Sequence, residues 1–157
     1  MRPIPRSTFL KRQCAISFLL FSPLGCGSAG QELHGVYAVT GTAHYSIQDI
    51  GHYSAQVSDT FRVSEGTASD LLLTDAAGRC VLLADVEEGR VALRPGASCT
   101  YPGDNGLTVR VTLTRGTLAL SGGSGRFDMA GTVTAMARGR LYPGSFFQNT
   151  TLTRVGE

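Results

Sequence analysis

From Leu33 onward, apolar and polar residues alternate with a period of two, and turn signals interrupt the alternation roughly every eight to twelve residues. Helical periodicity is almost absent. The plainest stretch is Leu107-Thr108-Val109-Arg110-Val111-Thr112-Leu113-Thr114, in which every second residue is aliphatic. Side chains two apart share one face of an extended chain, so this reads as a strand with one buried and one wet face. Arg115-Gly116 is expected to turn the chain into a second strand at 117–120, and Ser121-Gly122-Gly123-Ser124-Gly125 to turn it again into a third at 127–135.

Upstream, 79–86 and 90–94 flank Glu87-Glu88-Gly89, a glycine-bearing loop of the hairpin type, and Pro95-Gly96 ends the second arm. Further strands are expected at 34–40, 53–63, 71–74 and 150–155. One stretch, Ser69-Asp70-Leu71-Leu72-Leu73, is open to a second reading as a short helix capped by Ser69. About eight to ten short antiparallel strands with glycine-rich turns predict an all-β domain, either an antiparallel up-and-down barrel or a β-sandwich. Uniformly short connections favour the barrel, because a Greek key needs a long one. Only 101–105, with Pro102-Gly103-Asp104-Asn105 in it, has room for a longer loop.

The first 25 residues follow different rules. Arg2, Arg6, Lys11 and Arg12 stand without an acidic residue among them, the apolar run Cys14-Ala15-Ile16-Ser17-Phe18-Leu19-Leu20-Phe21 follows, and small residues come next. This is the pattern of a secretory signal, and the apolar run is well short of the roughly 20 residues a spanning helix needs. Its end, Ser22-Pro23-Leu24-Gly25-Cys26-Gly27, resembles the lipobox of bacterial prolipoproteins. In that family a small residue precedes a cysteine that is lipidated and becomes the mature N-terminus, which here implies cleavage after 1–25 and lipid on Cys26. Pro23 stands where the family usually has leucine. Cleavage after Gly27-Ser28-Ala29, giving a signal of 1–29 and a soluble product, also satisfies the small-x-small rule. Residues 26–32 then form a short tether, and 33–157 a single β domain of about 130 residues, enough for one real core and not for two.

Removing the leader inverts the charge. The full chain carries 14 basic and 12 acidic residues, but four of the basic ones precede Cys26, leaving 10 against 12, a net charge of −2. A mildly acidic domain with scattered arginines has no electrostatic footprint for nucleic acid. Of the 4 cysteines, Cys14 leaves with the leader and Cys26 is either removed or capped by lipid, so Cys80 and Cys99 remain. In an oxidising compartment such a pair is expected to form a disulfide, with a stabilisation of about 3 kcal/mol for a loop of this length. Zinc is disfavoured, because neither cysteine has a second ligand at the usual spacing of two to four residues.

The chain says His-Tyr-Ser twice, at His44-Tyr45-Ser46 and His52-Tyr53-Ser54. On one continuous strand His44 and His52 would lie about 27 Å apart at roughly 3.4 Å per residue, beyond any metal. If 48–51 contains a hairpin turn, an odd pairing sum puts them on opposite faces. An even sum puts them on one face as diagonal neighbours about 7 to 8 Å apart. Only that case suits zinc, and it still needs a third ligand such as Asp49 or His34, so no metal or other cofactor is expected. Nor does hydrolytic chemistry declare itself. Gly123-Ser124-Gly125 lacks the spacing of a nucleophile elbow, and Glu87-Glu88 at a hairpin tip cannot flank a substrate.

Gly35-Val36-Tyr37 opens the first strand and Arg154 lies in the last. The pair is similar to the lipocalin arrangement, in which a Gly-x-Trp on the first strand packs against an arginine from the final strand across the closed end; tyrosine replaces tryptophan here. The resemblance implies a barrel closed at one end by Tyr37 and Arg154, a use for which a guanidinium stacked on an aromatic face is physically suited. Asn149-Thr150-Thr151 is a glycosylation sequon, relevant only in a eukaryotic secretory route.

These readings together predict an exported, non-catalytic β-barrel of a bacterial cell envelope, secreted or held on the membrane by lipid at Cys26. Its partner would be an envelope protein, in a structural or recognition role. A lipocalin-like carrier of a small apolar ligand is the alternative, and a hydrolase or metal enzyme with a dispersed site is a third. The feature that separates carrier from structural domain is whether Leu107, Val109, Val111, Leu113, Leu118, Leu120, Phe127 and Met129 fill the interior or wall a cavity.

Overall fold

Alternating side chains need a second apolar face to cover them, and in this chain the sheet covers itself. The computed structural model describes residues 30–103, 106–121 and 123–157; the segment expected to be a leader and Cys26 lie outside the described residues. A 3-10 turn at Gln31–Leu33 precedes nine strands: β1 (Gly35–Ile47), β2 (Gly51–Glu65), β3 (Leu71–Asp75), β4 (Val81–Glu87), β5 (Arg90–Leu93), β6 (Ser98–Pro102), β7 (Thr108–Ser121), β8 (Ser124–Ala137) and β9 (Arg140–Gly156). All pairings are antiparallel, mostly between chain neighbours. Pairing of β1 with β9 and of β5 with β7 closes the sheet into a ring. The all-β antiparallel barrel expected from the alternation is the observed fold.

β5 and β6 occupy successive stretches of the same edge of β7. β6 runs along Thr108–Thr112 and β5 meets Thr117 and Leu118. The ring therefore closes only at the level of β5. Below, Tyr37, Val39, Phe61, Leu71, Leu73, Leu82, Leu118, Phe127 and Leu152 pack as a closed core, each 3 % exposed or less. Above, β2, β1, β9, β8, β7 and β6 continue as a curved half-pipe. Residues 51–59 of β2 pair with β1 on one side and with no strand on the other, and the far edge of β6 is likewise unpaired among the described residues.

Several local expectations differ from the structure, each for a physical reason. Arg115-Gly116 does not reverse the chain. β7 runs through it with a bulge, its register with β8 shifting between Leu113 and Arg115 so that Thr114 has no partner. A bulge bends a strand without ending it. Ser69 caps no helix: its hydroxyl donates to the Leu71 carbonyl at 2.8 Å, and Leu71 and Leu73 point into the core as a strand requires. β9 is 17 residues long rather than confined to 150–155. Pro143-Gly144 disguises its beginning, but β1 ends at Ile47 opposite Gly144, and just beyond that end Pro143 only accepts, its carbonyl taking the Gln48 N–H at 2.9 Å. After Pro95-Gly96 ends β5, Cys99 lies within a further strand, β6, beyond those expected.

The tight turns follow rule. Glu87 pairs with Arg90, leaving Glu88 and Gly89 as a two-residue turn with φ of 46° and 80°, the left-handed pair that matches strand twist. Cys80 and Cys99 are both buried and joined by a disulfide that ties the entrance of β4 to β6. Since β6 has only one strand partner, this covalent link is what fixes its second side.

Mass spectrometry of the unreduced mature protein should show a two-hydrogen deficit and no free thiol. Replacing both Cys80 and Cys99 by Ala should lower the unfolding free energy by about 3 kcal/mol in urea titrations; alkylation of both cysteines without prior reduction would rule the bond out.

Candidate binding cavity

The half-pipe has an inner face, and register decides which side chains reach it. β1 pairs with β2 so that Tyr45 lies opposite Tyr53, and with β9 so that Tyr45 lies opposite Phe146. Val39, Ala43 and Ile47, on the same face of β1, are buried. Tyr53, Tyr45 and Phe146 therefore form one aromatic row across three strands. The two tyrosine rings stack at 4.8 Å between centroids, and Tyr45 and Phe146 lie 6.3 Å apart. The row continues to Gly131 of β8 and Leu113 of β7. A Cβ on Gly131 would overlap the Thr112 carbonyl oxygen and come within 3.0 Å of Phe146 Cε1. The glycine is what lets that ring lie flat across β8.

Between this row and β6 lies a cavity of about 480 Å³. Its apolar walls include Val57, Val109, Val111, Leu113 and Met129, and the Cys80–Cys99 link contributes Cys99 to its lining. Thus the inward residues proposed as filler divide by height. Leu118 and Phe127 fill the closed half, whereas Leu107, Val109, Val111, Leu113 and Met129 wall an open one.

The charged groups enter at one side. Asp59 pairs with buried Val39 and so faces inward; its Oδ1 accepts the Thr60 N–H at 2.7 Å, and it makes no ion pair among the described residues. Asp75, 3 % exposed, pairs with Phe61; its Oδ1 accepts the Cys80 N–H at 2.9 Å. Asp75 Oδ2 is buried without a hydrogen bond, its nearest cation being Arg79 Nε at 3.6 Å. The Arg79 guanidinium lies 5.8 Å from the Tyr101 ring centroid. Burial, followed by the charges of Asp75 and Asp59, pushes the Tyr101 hydroxyl up to about 12. Burial also raises Tyr53, and burial together with the charge Tyr53 would carry raises Tyr45. All three phenols are neutral donors at neutral pH.

The candidate residues singled out from the sequence lie elsewhere. His44 pairs with Ser54 and Ser46 with His52, the even register that makes the two histidines diagonal neighbours on one face. That face is the outer one. His44 stacks on Phe147 at 4.5 Å, and its Nδ1 is 2.7 Å from Ser54 Oγ. Among the described residues no group of three or more His, Cys, Asp or Glu could hold a metal ion. Tyr37 and Arg154 do meet, directly opposite in register, with the guanidinium 5.8 Å from the ring centroid at the closed end. Tyr37 donates its hydroxyl to the Leu33 carbonyl at 2.9 Å and Arg154 donates to the His34 carbonyl. A Cβ on Gly35 would come within 2.7 Å of Arg154 Nε, so the glycine makes room for the arginine. Sequence reasoning missed Tyr45, Tyr53, Asp59, Arg79, Tyr101 and Phe146. The signal for the first three was parity, since odd positions of β1 and β2 face inward once the pairing sum is even.

Compared with known protein families, curated proteins and solved structures, the chain matches none.

The raised Tyr101 value has a consequence for stability at high pH. An unfolded chain releases this proton near pH 10, whereas the folded protein holds it to about 12. The contribution is complete below about pH 10 and is lost as pH rises through the window between the two values. Urea midpoints measured across that window should fall more steeply for the native protein than for Tyr101→Phe; parallel curves would show that the phenol is not held neutral.

Proposed function

We propose that the protein is an exported, non-catalytic β-barrel that binds a small, mainly apolar molecule in the open half of its barrel. The observation that carries this reading is the cavity itself. At about 480 Å³ it falls within the roughly 300–1,000 Å³ typical of small-molecule sites, and its walls are aliphatic and aromatic with a few polar groups among them. A purely structural domain gains nothing from leaving Val109, Val111 and Leu113 facing a void when the same strands pack a closed core below. The reading therefore favours a carrier over a purely structural envelope domain. The resemblance of Gly35-Val36-Tyr37 and Arg154 to lipocalins points the same way, toward a cup closed at one end and open at the other.

Export is part of the proposal and is supported by the basic and apolar leader and by the Cys80–Cys99 disulfide, which suits an oxidising compartment. Anchoring through Cys26 is proposed on the strength of its place after the apolar run and a small residue. Lipid there would hold the cup at a bacterial membrane surface, since each buried methylene contributes about 0.8 kcal/mol.

Two experiments check these points. The neutral dye N-phenyl-1-naphthylamine should bind saturably at one site with enhanced fluorescence, and Ala55→Trp, which fills the cavity from the free edge of β2, should weaken binding by about tenfold or more without lowering the melting temperature. Absence of saturable binding, or binding unaffected by the filled cavity, counts against the reading. For the anchor, the protein expressed in a bacterium should incorporate labelled palmitate and enter the detergent phase, and Cys26→Ser should abolish both; a soluble product beginning at Gly30 would show cleavage at the other site.

A further inference from the structure

Resting on the cavity reading above, we propose that the ligand is an organic cation, an apolar body carrying a protonated amine or quaternary ammonium group. Asp59 and Arg79 line the cavity, and Asp75 lies on the same inner face, next to Phe61 of the cavity wall. Two carboxylates against one guanidinium leave one negative charge uncompensated.

Arg79 is already engaged, 3.6 Å from Asp75 and stacked toward Tyr101. It does not offer a free cation to an anionic ligand. Asp59 has the opposite status: one oxygen accepts a backbone N–H, the second has no cationic partner among the described residues, and its register with Val39 turns it inward. Asp75 Oδ2, buried without a hydrogen bond, is turned to Arg79 and keeps that guanidinium from neutralising Asp59. An inward carboxylate beside apolar walls gains strongly from a positive partner once water is displaced, and an anionic ligand would bring like charges together.

The aromatic groups select the same ligand. Tyr45 is stacked between Tyr53 and Phe146, so the ring face left uncovered in this row is that of Tyr53 on the free edge of β2, where it lines the space together with Tyr101. Ring faces carry negative quadrupole potential and attract ammonium groups, most strongly where water is excluded. The phenols do not compete by ionising, because each is held above its ordinary value. Apolar walls, ring faces and one unpaired carboxylate together suit a cation with a hydrophobic body and suit neither a fatty acid nor a neutral lipid as well.

Three probes sharing one body separate these chemistries: 4-phenylbutylammonium, 4-phenylbutanol and 4-phenylbutyrate, titrated calorimetrically into the exported protein. The ammonium should bind about tenfold more tightly than the alcohol, and the carboxylate more weakly than either. Asp59→Asn, which retains the acceptor for the Thr60 N–H, should bring the ammonium to within about twofold of the alcohol measured on the same variant. Tyr53→Leu should reduce ammonium binding more than alcohol binding, an independent check should the Asp59 variant fail to fold. Equal affinity of ammonium and alcohol in the native protein, or a preference surviving in Asp59→Asn, overturns the cation assignment while leaving the apolar cavity standing. Failure of the alcohol and of the naphthylamine dye to bind overturns the cavity reading itself.

Discussion

A ring of strands closes only over the height its shortest members share, and unequal strand length is the constraint on which this structure depends. β1, β2, β7, β8 and β9 have 13 to 17 residues, whereas β3, β4, β5 and β6 have 4 to 7. Where short and long strands overlap, the ring is complete and the inward side chains form a dry core. Where the long strands run on, the sheet becomes a half-pipe with two free edges. The cavity is the direct result, because inward residues above β5 have no opposite wall to pack against. The Cys80–Cys99 bond limits how far this opening can spread by holding β6 to the entrance of β4.

Free edges are a hazard, since unpaired backbone groups invite another strand. β6 ends in Pro102, which has no N–H to offer, and the outward residues of the β2 edge, His52, Ser54, Gln56 and Ser58, are polar and exposed. A ligand within the half-pipe would lean against both edges from inside. The closed core and the open cavity are therefore housed in different halves of one sheet, linked by strands that pass through both.

Much of this was legible in the sequence, and the limits have physical causes. Period-two alternation from Leu33 onward specified an all-β chain with short turns, and elimination of Cys14 and Cys26 left the pair that forms the disulfide. Local pattern does not encode length or ring closure. Arg115-Gly116 looks like a turn because a bulge and a turn use the same residue types, and Pro143-Gly144 looks like an end because only the neighbour's length reveals that the proline stands just past β1, where its carbonyl is bonded and no N–H is asked of it. The His-Tyr-Ser repeat is the sharpest example. Eight-residue spacing across a three-residue turn gives an even register, which sends both histidines outward and both tyrosines inward. Histidine chemistry drew attention to the repeat, yet the tyrosines between the histidines and serines are the residues that face the cavity. Asp59 hides for the same reason: within 51–65 it reads as one polar residue among several until its parity is known.

The two ends of the barrel use the same pairing to opposite effect. At the closed end Arg154 lies over Tyr37, and both side chains donate hydrogen bonds to the carbonyls of Leu33 and His34, so the incoming chain itself is drawn across the opening. Tyr37 is 2 % exposed as a result. At the open end Arg79 lies over Tyr101 at the same 5.8 Å, but no segment among the described residues crosses the mouth, and the guanidinium answers to the buried Asp75 instead. The arginine is thereby held to the wall rather than over the entrance. A guanidinium–aromatic contact is a plug only where a backbone segment is tied to it; without one, it leaves a neutral phenol, a paired cation and an unpaired Asp59 facing solvent-accessible space. The polarity of the open end is set by the carboxylate that no arginine among the described residues reaches.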